Sequence, residues 1–203
     1  MRTTRIGLAL LMALVFSIPA FAQTDAPRLS VNALVGPSFG NVGTTFSTTG
    51  EIQYRLNDRI AIGGQGGIMP HAPFRKAGEI APAAPVVAWG PVIGSESTYV
   101  NAYHWNGNIK VWPFEIGRLE PYVTGGFGGF MASTVVNNRL NGGARADAYS
   151  RSTHPATNVG TGAMYRVNDW IGVGADYRTF FVHRDGDTPK VHRFTAGISL
   201  VVE

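Results

Sequence analysis

Eight segments of this chain alternate apolar and polar residues, and the connections between them are short and long in turn. Alternation with a period of two residues is typical of β-strands that present different chemistry on their two faces. Consecutive strands joined in this way predict an all-β fold, in which an antiparallel up-and-down sheet closes into an eight-stranded barrel. The predicted strands cover residues 28–37, 47–56, 59–69, 99–112, 118–131, 157–167, 170–182 and 191–202.

The connections divide between the two rims of the predicted barrel. Asn57-Asp58 and Asn168-Asp169 are tight-turn dipeptides whose residues tolerate positive φ, and residues 113–117 form a third short connection. The longer connections all fall on the other rim and cover residues 38–46, 70–98, 132–156 and 183–190. Outer-membrane barrels have this asymmetry, with short periplasmic turns and long external loops.

The N-terminal segment has the features of a secretory signal. Arg2 and Arg5 precede an apolar run over residues 6–18, and small residues follow at Ala20 and Ala22. The run is too short to span a bilayer comfortably, which favours a cleaved signal over an anchor helix. The two predicted units are a signal peptide over residues 1–22 and a barrel domain over residues 23–203.

Composition excludes several other classes of protein. The chain has no cysteine, so it has neither a disulfide scaffold nor a thiolate metal site. After the signal, no apolar run is long enough for a transmembrane helix. Removing the two signal arginines from 17 basic residues leaves a small excess over 13 acidic ones, with no basic stripe, so we expect no nucleic-acid partner. No motif predicts a cofactor or a metal.

The apolar register of the strands predicts which face meets lipid. In the last strand it comprises Phe194, Ala196, Ile198, Leu200 and Val202, and no strand has a charged residue in this register. A soluble lipocalin-like barrel also alternates, with its apolar face inward. Aromatic residues near both ends of the strands favour lipid outside, since they form girdles at the two interfaces. The predicted girdle comprises Tyr54, Tyr99, Tyr103, Trp105, Trp112, Tyr165, Trp170 and Phe181.

Two segments carry a resemblance to a known family. Residues 121–129 (PYVTGGFGG) and 162–178 (GAMYRVNDWIGVGADYR) resemble the small outer-membrane β-barrels, the class of the outer-membrane protein A transmembrane domain and the opacity-like porins. Residues 194–203 resemble the alternating C-terminal strand that the outer-membrane insertion machinery recognises. Glu203 stands at the position where that pattern has Phe or Trp. The resemblance implies a transmembrane barrel in the bacterial outer membrane, with structural, adhesive or weakly pore-forming roles.

The polar register predicts a charged network in the lumen. Because side chains fill the interior of an eight-stranded barrel, these groups should pair with one another. We expect Glu51 and Asp176 to accept hydrogen bonds from several of the basic side chains, since a buried carboxylate without partners is costly. The predicted network comprises Glu51, Arg55, His104, Lys110, Arg166, Asp176, Arg178 and Arg193.

Three functions remain open from the sequence. The first is a non-enzymatic structural or surface-interacting role, and the second is a narrow channel for ions or small solutes. The third is a lipid-A-modifying enzyme. No spacing makes a catalytic site for it, although His104 lies in the same register as Glu51 and Asp176, and His154 lies in an external loop.

The external loops are the expected contact surfaces. Residues 80–89 (IAPAAPVVAW) make the 70–98 loop unexpectedly apolar, so it either covers the barrel mouth, extends the strand pair, or contacts a partner or a lipid surface. The 132–156 loop is polar and basic, so it either contacts lipopolysaccharide phosphates or is a mobile solvated loop, which is the commoner case. We therefore expect a monomer in contact with outer-membrane lipids and lipopolysaccharide, with a possible extracellular partner at loops 70–98 and 132–156.

Overall fold

The computed structural model describes the backbone of residues 29–41, 43–72, 92–140 and 145–202, and the side chains within these ranges except 92–99 and 134–150. The predicted signal peptide lies outside the described residues. The strands are β1 (Leu29–Gly40), β2 (Thr45–Asn57), β3 (Ile60–Met69), β4 (Val92–Val111), β5 (Leu119–Leu140), β6 (Arg145–Arg166), β7 (Ile171–Val182) and β8 (Lys190–Val202).

All eight strands pair antiparallel with their neighbours in sequence, and β1 also pairs with β8, which closes the barrel. The predicted fold class is therefore confirmed. Among the described residues, no helix is long and apolar enough to cross a membrane.

Burial alternates along each strand as the sequence pattern requires. In β2, Glu51 is 2% exposed and Gln53 is 5% exposed, whereas Ile52 between them is 56% exposed. In this part of the wall the polar side chains therefore line the interior, and the apolar ones form the outer surface. This inside-out arrangement is stable only if the outer face meets hydrocarbon instead of water.

Asparagine side chains form two of the short turns. Asn57 Oδ1 accepts hydrogen bonds from the backbone N–H groups of Arg59 and Ile60, each at 2.9 Å. Asn168 Oδ1 accepts equivalent bonds from Trp170 at 2.9 Å and Ile171 at 2.8 Å. The Asn side chain replaces a backbone acceptor where the chain reverses, and none of Asn57, Asp58, Asn168 and Asp169 adopts a positive φ.

Three strands are much longer than the sequence predicted. β4, β5 and β6 contain 20, 22 and 22 residues, whereas the other strands contain 10 to 13. The prediction of a 132–156 loop is wrong, because β5 continues to Leu140 and β6 starts at Arg145. The segment lacks an apolar face, but pairing between β5 and β6 continues out to Arg139 and Arg145 and supplies its backbone hydrogen bonds.

Part of the predicted 70–98 loop is also strand. β4 begins at Val92 and pairs with β5 from there onward. Residues 73–91, which include the apolar segment 80–89, lie outside the described residues. The outer parts of β4, β5 and β6 therefore form a three-stranded sheet beyond the wall that all eight strands share. We call this sheet the extension.

Candidate functional site

The lumen holds a cluster of charged side chains near the middle of the barrel. Glu51 on β2 accepts hydrogen bonds from Lys110 Nζ at 3.3 Å and from Arg178 Nη2 at 2.9 Å. Asn32 Nδ2 donates to the same carboxylate at 3.3 Å. Donors from β1, β4 and β7 thus converge on one buried anion, which links strands that are not neighbours in the wall.

Asp176 on β7 is the second buried anion of this cluster. Arg178 Nε donates to its Oδ1 at 2.8 Å, and Arg193 Nη2 on β8 lies 3.4 Å from the same oxygen. Tyr122 Oη on β5 donates to Oδ2 at 3.0 Å. Arg178 therefore bridges Asp176 and Glu51, and the two carboxylates form one continuous network.

Arg193 carries the network toward the other side of the lumen. Its Nη1 donates to Thr49 Oγ1 at 2.9 Å and lies 2.7 Å from His104 Nε2, while its Nη2 donates to Gln65 Oε1 at 3.2 Å. A guanidinium has donors only, so His104 Nε2 is the acceptor and its ring proton is on Nδ1. This places His104 in a polar network whose contacts match a structural role.

A separate ion-pair cluster lies near the short turns. Glu120 on β5 pairs with Arg55 Nη2 of β2 at 2.7 Å and with Arg166 of β6. The Arg55 guanidinium also lies 4.4 Å from the centre of the Trp112 ring. The structure therefore pairs Arg55 and Arg166 with Glu120, a carboxylate outside the predicted network.

Glu120 was missed at the sequence level. It lies in the predicted strand over residues 118–131, two positions before Tyr122, so the alternation of that strand was the available signal. A cavity of about 60 Å³ opens beside it and is lined by Gln53, Arg55 and Arg166 among others. This is the short-turn mouth of the lumen.

Trp112 corrects the predicted aromatic girdle. It is 5% exposed and lies inside the barrel, with its ring centre 6.1 Å from that of Tyr122. The backbone N–H of Trp112 donates to the Arg59 carbonyl. The β3–β4 ladder, and with it the inward–outward alternation, therefore continues one residue past the end of β4. Trp112 therefore shares the inward register of Lys110.

The other predicted girdle residues are on the outside where their side chains are described. The Tyr99 side chain lies outside the described part of the chain. Tyr103 and Phe181 are partly exposed. The exposed members are Tyr54, Trp105, Tyr165 and Trp170.

An apolar layer closes the lumen beyond the central charges. The His104 and Phe180 ring centres are 5.1 Å apart, and the Arg193 guanidinium carbon lies 5.2 Å from the centre of the Phe180 ring. From this contact to the rim with the long connections, most of the inward side chains are apolar and buried, and the hydroxyls of Ser38 and Ser47 are buried beside them. The layer comprises Met69, Ala72, Val100, Ala102, Phe130, Ala132, Ala156, Phe180, Val182 and Val191.

One side-chain pair on the extension has the composition of a hydrolytic dyad. Ser152 Oγ lies 2.6 Å from His154 Nε2 on β6. A nucleophile and base also need an orienting group and oxyanion donors. No carboxylate among the described side chains pairs with His154, and the described residues contain no cluster of potential metal ligands.

Comparison with known proteins identifies the family. The profile of the outer membrane protein beta-barrel domain family matches residues 8–201. No curated protein matches the sequence.

Solved structures of three other bacterial proteins share the fold. A major outer membrane protein from Thermus thermophilus has a TM-score of 0.64 at 12% identity, covering 88% of this chain and 100% of that one. Neisserial surface protein A (NspA) has a TM-score of 0.51 at 17% identity, with 86% and 96% covered. Ail, the attachment invasion locus protein of Yersinia pestis, has a TM-score of 0.50 at 12% identity, with 87% and 97% covered. The chain belongs to the outer membrane protein β-barrel domain family and is a protein of the bacterial outer membrane.

Proposed function

We propose that this protein is a non-enzymatic outer-membrane barrel that does not conduct and that acts through its outer surface. The observation that carries the proposal is the double closure of the lumen. A network of buried ion pairs crosses it at Glu51 and Asp176, and an apolar layer that includes Phe130 and Phe180 lies beyond that network.

The two closures oppose ion passage for different physical reasons. An ion crossing the centre has to displace Arg178 or Lys110 from Glu51, and separating a buried pair costs about 3–5 kcal/mol. An ion that passed the network would then enter the mostly apolar layer, where the two buried hydroxyls of Ser38 and Ser47 are too few to replace its hydration shell. A narrow channel is the alternative, and the cavity at the short-turn mouth is the feature that favours it.

The extension supports a role at the cell surface. It lies at the rim that carries the long connections, and in outer-membrane barrels this rim faces outward. Transmembrane strands need only about 9–11 residues, so the 22 residues of β5 and β6 exceed what the bilayer requires. The additional strand length is available for contacts outside the membrane.

Planar-bilayer recording on the refolded protein tests the proposal. We expect no current above that of the bare membrane, beside a porin that conducts in the same bilayer. Heat-modifiable gel mobility of the same sample establishes that the barrel is folded. Discrete single-channel steps that grow with protein concentration would show that the protein is a channel and would reject a closed lumen.

A lipid-modifying enzyme is a second candidate because of the Ser152–His154 contact. The test is mass spectrometry of lipid A from cells that express the wild type, Ser152→Ala or His154→Ala, compared with cells that lack the protein. We expect one identical profile in all four. A mass change that depends on both residues would identify a hydrolase and would reject the non-enzymatic role.

A further inference from the structure

One edge of the extension has no strand paired to it among the residues that the structure describes. β6 pairs with β5 over its whole outer part, from Arg145 onward, but it pairs with β7 only from Ala156 onward. The last contact on the β7 side is the hydrogen bond from the His183 N–H to the Pro155 carbonyl at 2.8 Å. No strand within the described ranges pairs with residues 145–154 on that side. At a rise of about 3.3 Å per residue, this edge is about 30 Å long.

The Pro155 contact shows which residues face the open edge. In an antiparallel strand the N–H and C=O of one residue point to the same side, and successive residues point to opposite sides. The Pro155 carbonyl points toward β7, so the odd-numbered residues before it point to the open edge. They are Arg145, Asp147, Tyr149, Arg151 and Thr153. The even-numbered residues bond to β5.

The opposite edge of the extension is less regular. On β4 the pairing register shifts between Val92 and Gly94 and again between Ser95 and Ser97. Near its base the Val100 carbonyl already accepts from the Ala72 N–H at 2.7 Å. Bulges of this kind twist an edge and hinder the addition of another strand. The pairing of β6 with β5 has no such shift, so β6 carries the regular edge.

We propose that the open edge of β6 binds an extended acidic segment of a partner protein by strand addition. The inference rests on the proposed surface role and names the chemistry of the partner. Main-chain hydrogen bonds to the odd-numbered residues provide affinity for an extended chain. The sequence of residues 145–154 contains two arginines and one aspartate, and the Arg151 side chain is exposed, so the segment has a net positive charge that favours an acidic partner.

A second copy in the same membrane fits this edge poorly. Two copies have the same orientation, so a two-fold axis along the membrane normal relates their β6 strands. Because barrel strands tilt by about 35–45°, the two strands would cross instead of pairing antiparallel along their length. A peptide from another protein has no such constraint on its direction.

The test measures binding of a labelled peptide to the refolded full-length barrel by fluorescence anisotropy. The probe is a peptide of about ten residues that alternates Glu and Thr, which suits an extended conformation. In Tyr149→Pro an outward N–H is lost while the bonds to β5 remain. We expect this variant to bind about tenfold more weakly than the wild type. Tyr149→Ala, which keeps the N–H, is the matched control and should bind as the wild type does.

Several outcomes would reject the inference. They are no binding to the wild type, equal binding to Tyr149→Pro, or an equal loss in Tyr149→Ala and Tyr149→Pro. A peptide with Lys in place of Glu should bind more weakly, and equal affinity would reject an acidic partner. Self-association of the peptide-free barrel that Tyr149→Pro abolishes would identify a second copy as the occupant.

Amide hydrogen exchange gives an independent readout of the same site. The peptide should slow exchange at the odd-numbered residues 145–153 and leave the even-numbered ones, already bonded to β5, unchanged. Uniform protection would reject strand addition. Conductance in planar bilayers would reject the closed lumen without affecting these measurements, so failure of the proposed function and failure of this inference are distinguishable.

Discussion

Arg178 Nη2 lies 2.9 Å from Glu51 Oε1, a contact that joins β7 to β2 across the lumen. In the barrel wall these strands are separated by β8 and β1. Both side chains are fully buried, at 0% and 1% side-chain exposure. The contact therefore ties together distant parts of the wall that no ladder hydrogen bond connects directly.

We predict that Glu51→Gln destabilises the barrel by about 3–5 kcal/mol, because it leaves Lys110 and Arg178 buried without that carboxylate. Urea unfolding in lipid vesicles, followed by heat-modifiable gel mobility, measures the free energy of unfolding. The double variant Glu51→Gln/Lys110→Met should recover part of the loss, since it removes one unpaired cation. A loss for Glu51→Gln below about 1 kcal/mol would mean that the pairs behave as solvated surface pairs.

Adjacent phenylalanines on β7 provide a matched test of the apolar layer. Phe180 is fully buried in the lumen, and Phe181 is partly exposed on the outer face. Phe180→Ala leaves a cavity between fixed neighbours and should cost about 3–5 kcal/mol in the same unfolding assay. Phe181→Ala should cost clearly less, because lipid chains can fill the space. Equal losses would contradict a packed layer inside the barrel.

The lipid face predicts a depth dependence along β8. Ala196 lies in the middle of that strand on its outer face, and Val202 lies at its end near the short turns. Ala196→Arg should destabilise the barrel by about 2–4 kcal/mol and Val202→Arg by about 0–1 kcal/mol, since the cost of a charge falls toward the interface. Urea unfolding in vesicles measures both, and equal values would contradict this placement of the bilayer.

The number of strands and the inward and outward faces were predictable because each depends on local chemistry. Polar and apolar side chains alternate at Glu51, Ile52 and Gln53, as they must in a wall with a polar interior and a lipid-facing exterior. The side chains of Asn57 and Asn168 form hydrogen bonds within their own turns. These signals lie within a few residues of one another. They can therefore be identified in the sequence without knowledge of any long-range contact.

The sequence-based predictions fail where the structure depends on residues that are distant in the chain. The nearness of Trp112 to a turn predicts a girdle residue, but the backbone hydrogen bond to the Arg59 carbonyl keeps it in the inward register. The sequences of the outer parts of β5 and β6 have no regular apolar alternation, so hydrophobic patterning gave no signal there. Glu120 meets Arg55 and Arg166 only because the barrel closes, and no local pattern specifies that choice of partner.

Two glycines of the wall test how tightly its strands approach. A Cβ added at Gly197 of β8 would overlap the carbonyl oxygen of Ala33 on β1, whereas one added at Gly50 of β2 would have nothing within 4 Å. Because the Ala33 carbonyl is backbone, relieving the overlap requires the β1–β8 pairing to shift. Gly197→Ala should therefore destabilise the barrel by about 1–3 kcal/mol or prevent refolding. Gly50→Ala should be neutral or stabilise it by up to about 1 kcal/mol, since alanine restricts the unfolded chain. Refolding yield and urea unfolding in vesicles measure both variants, and equal effects would contradict the close approach of β1 and β8 at Gly197.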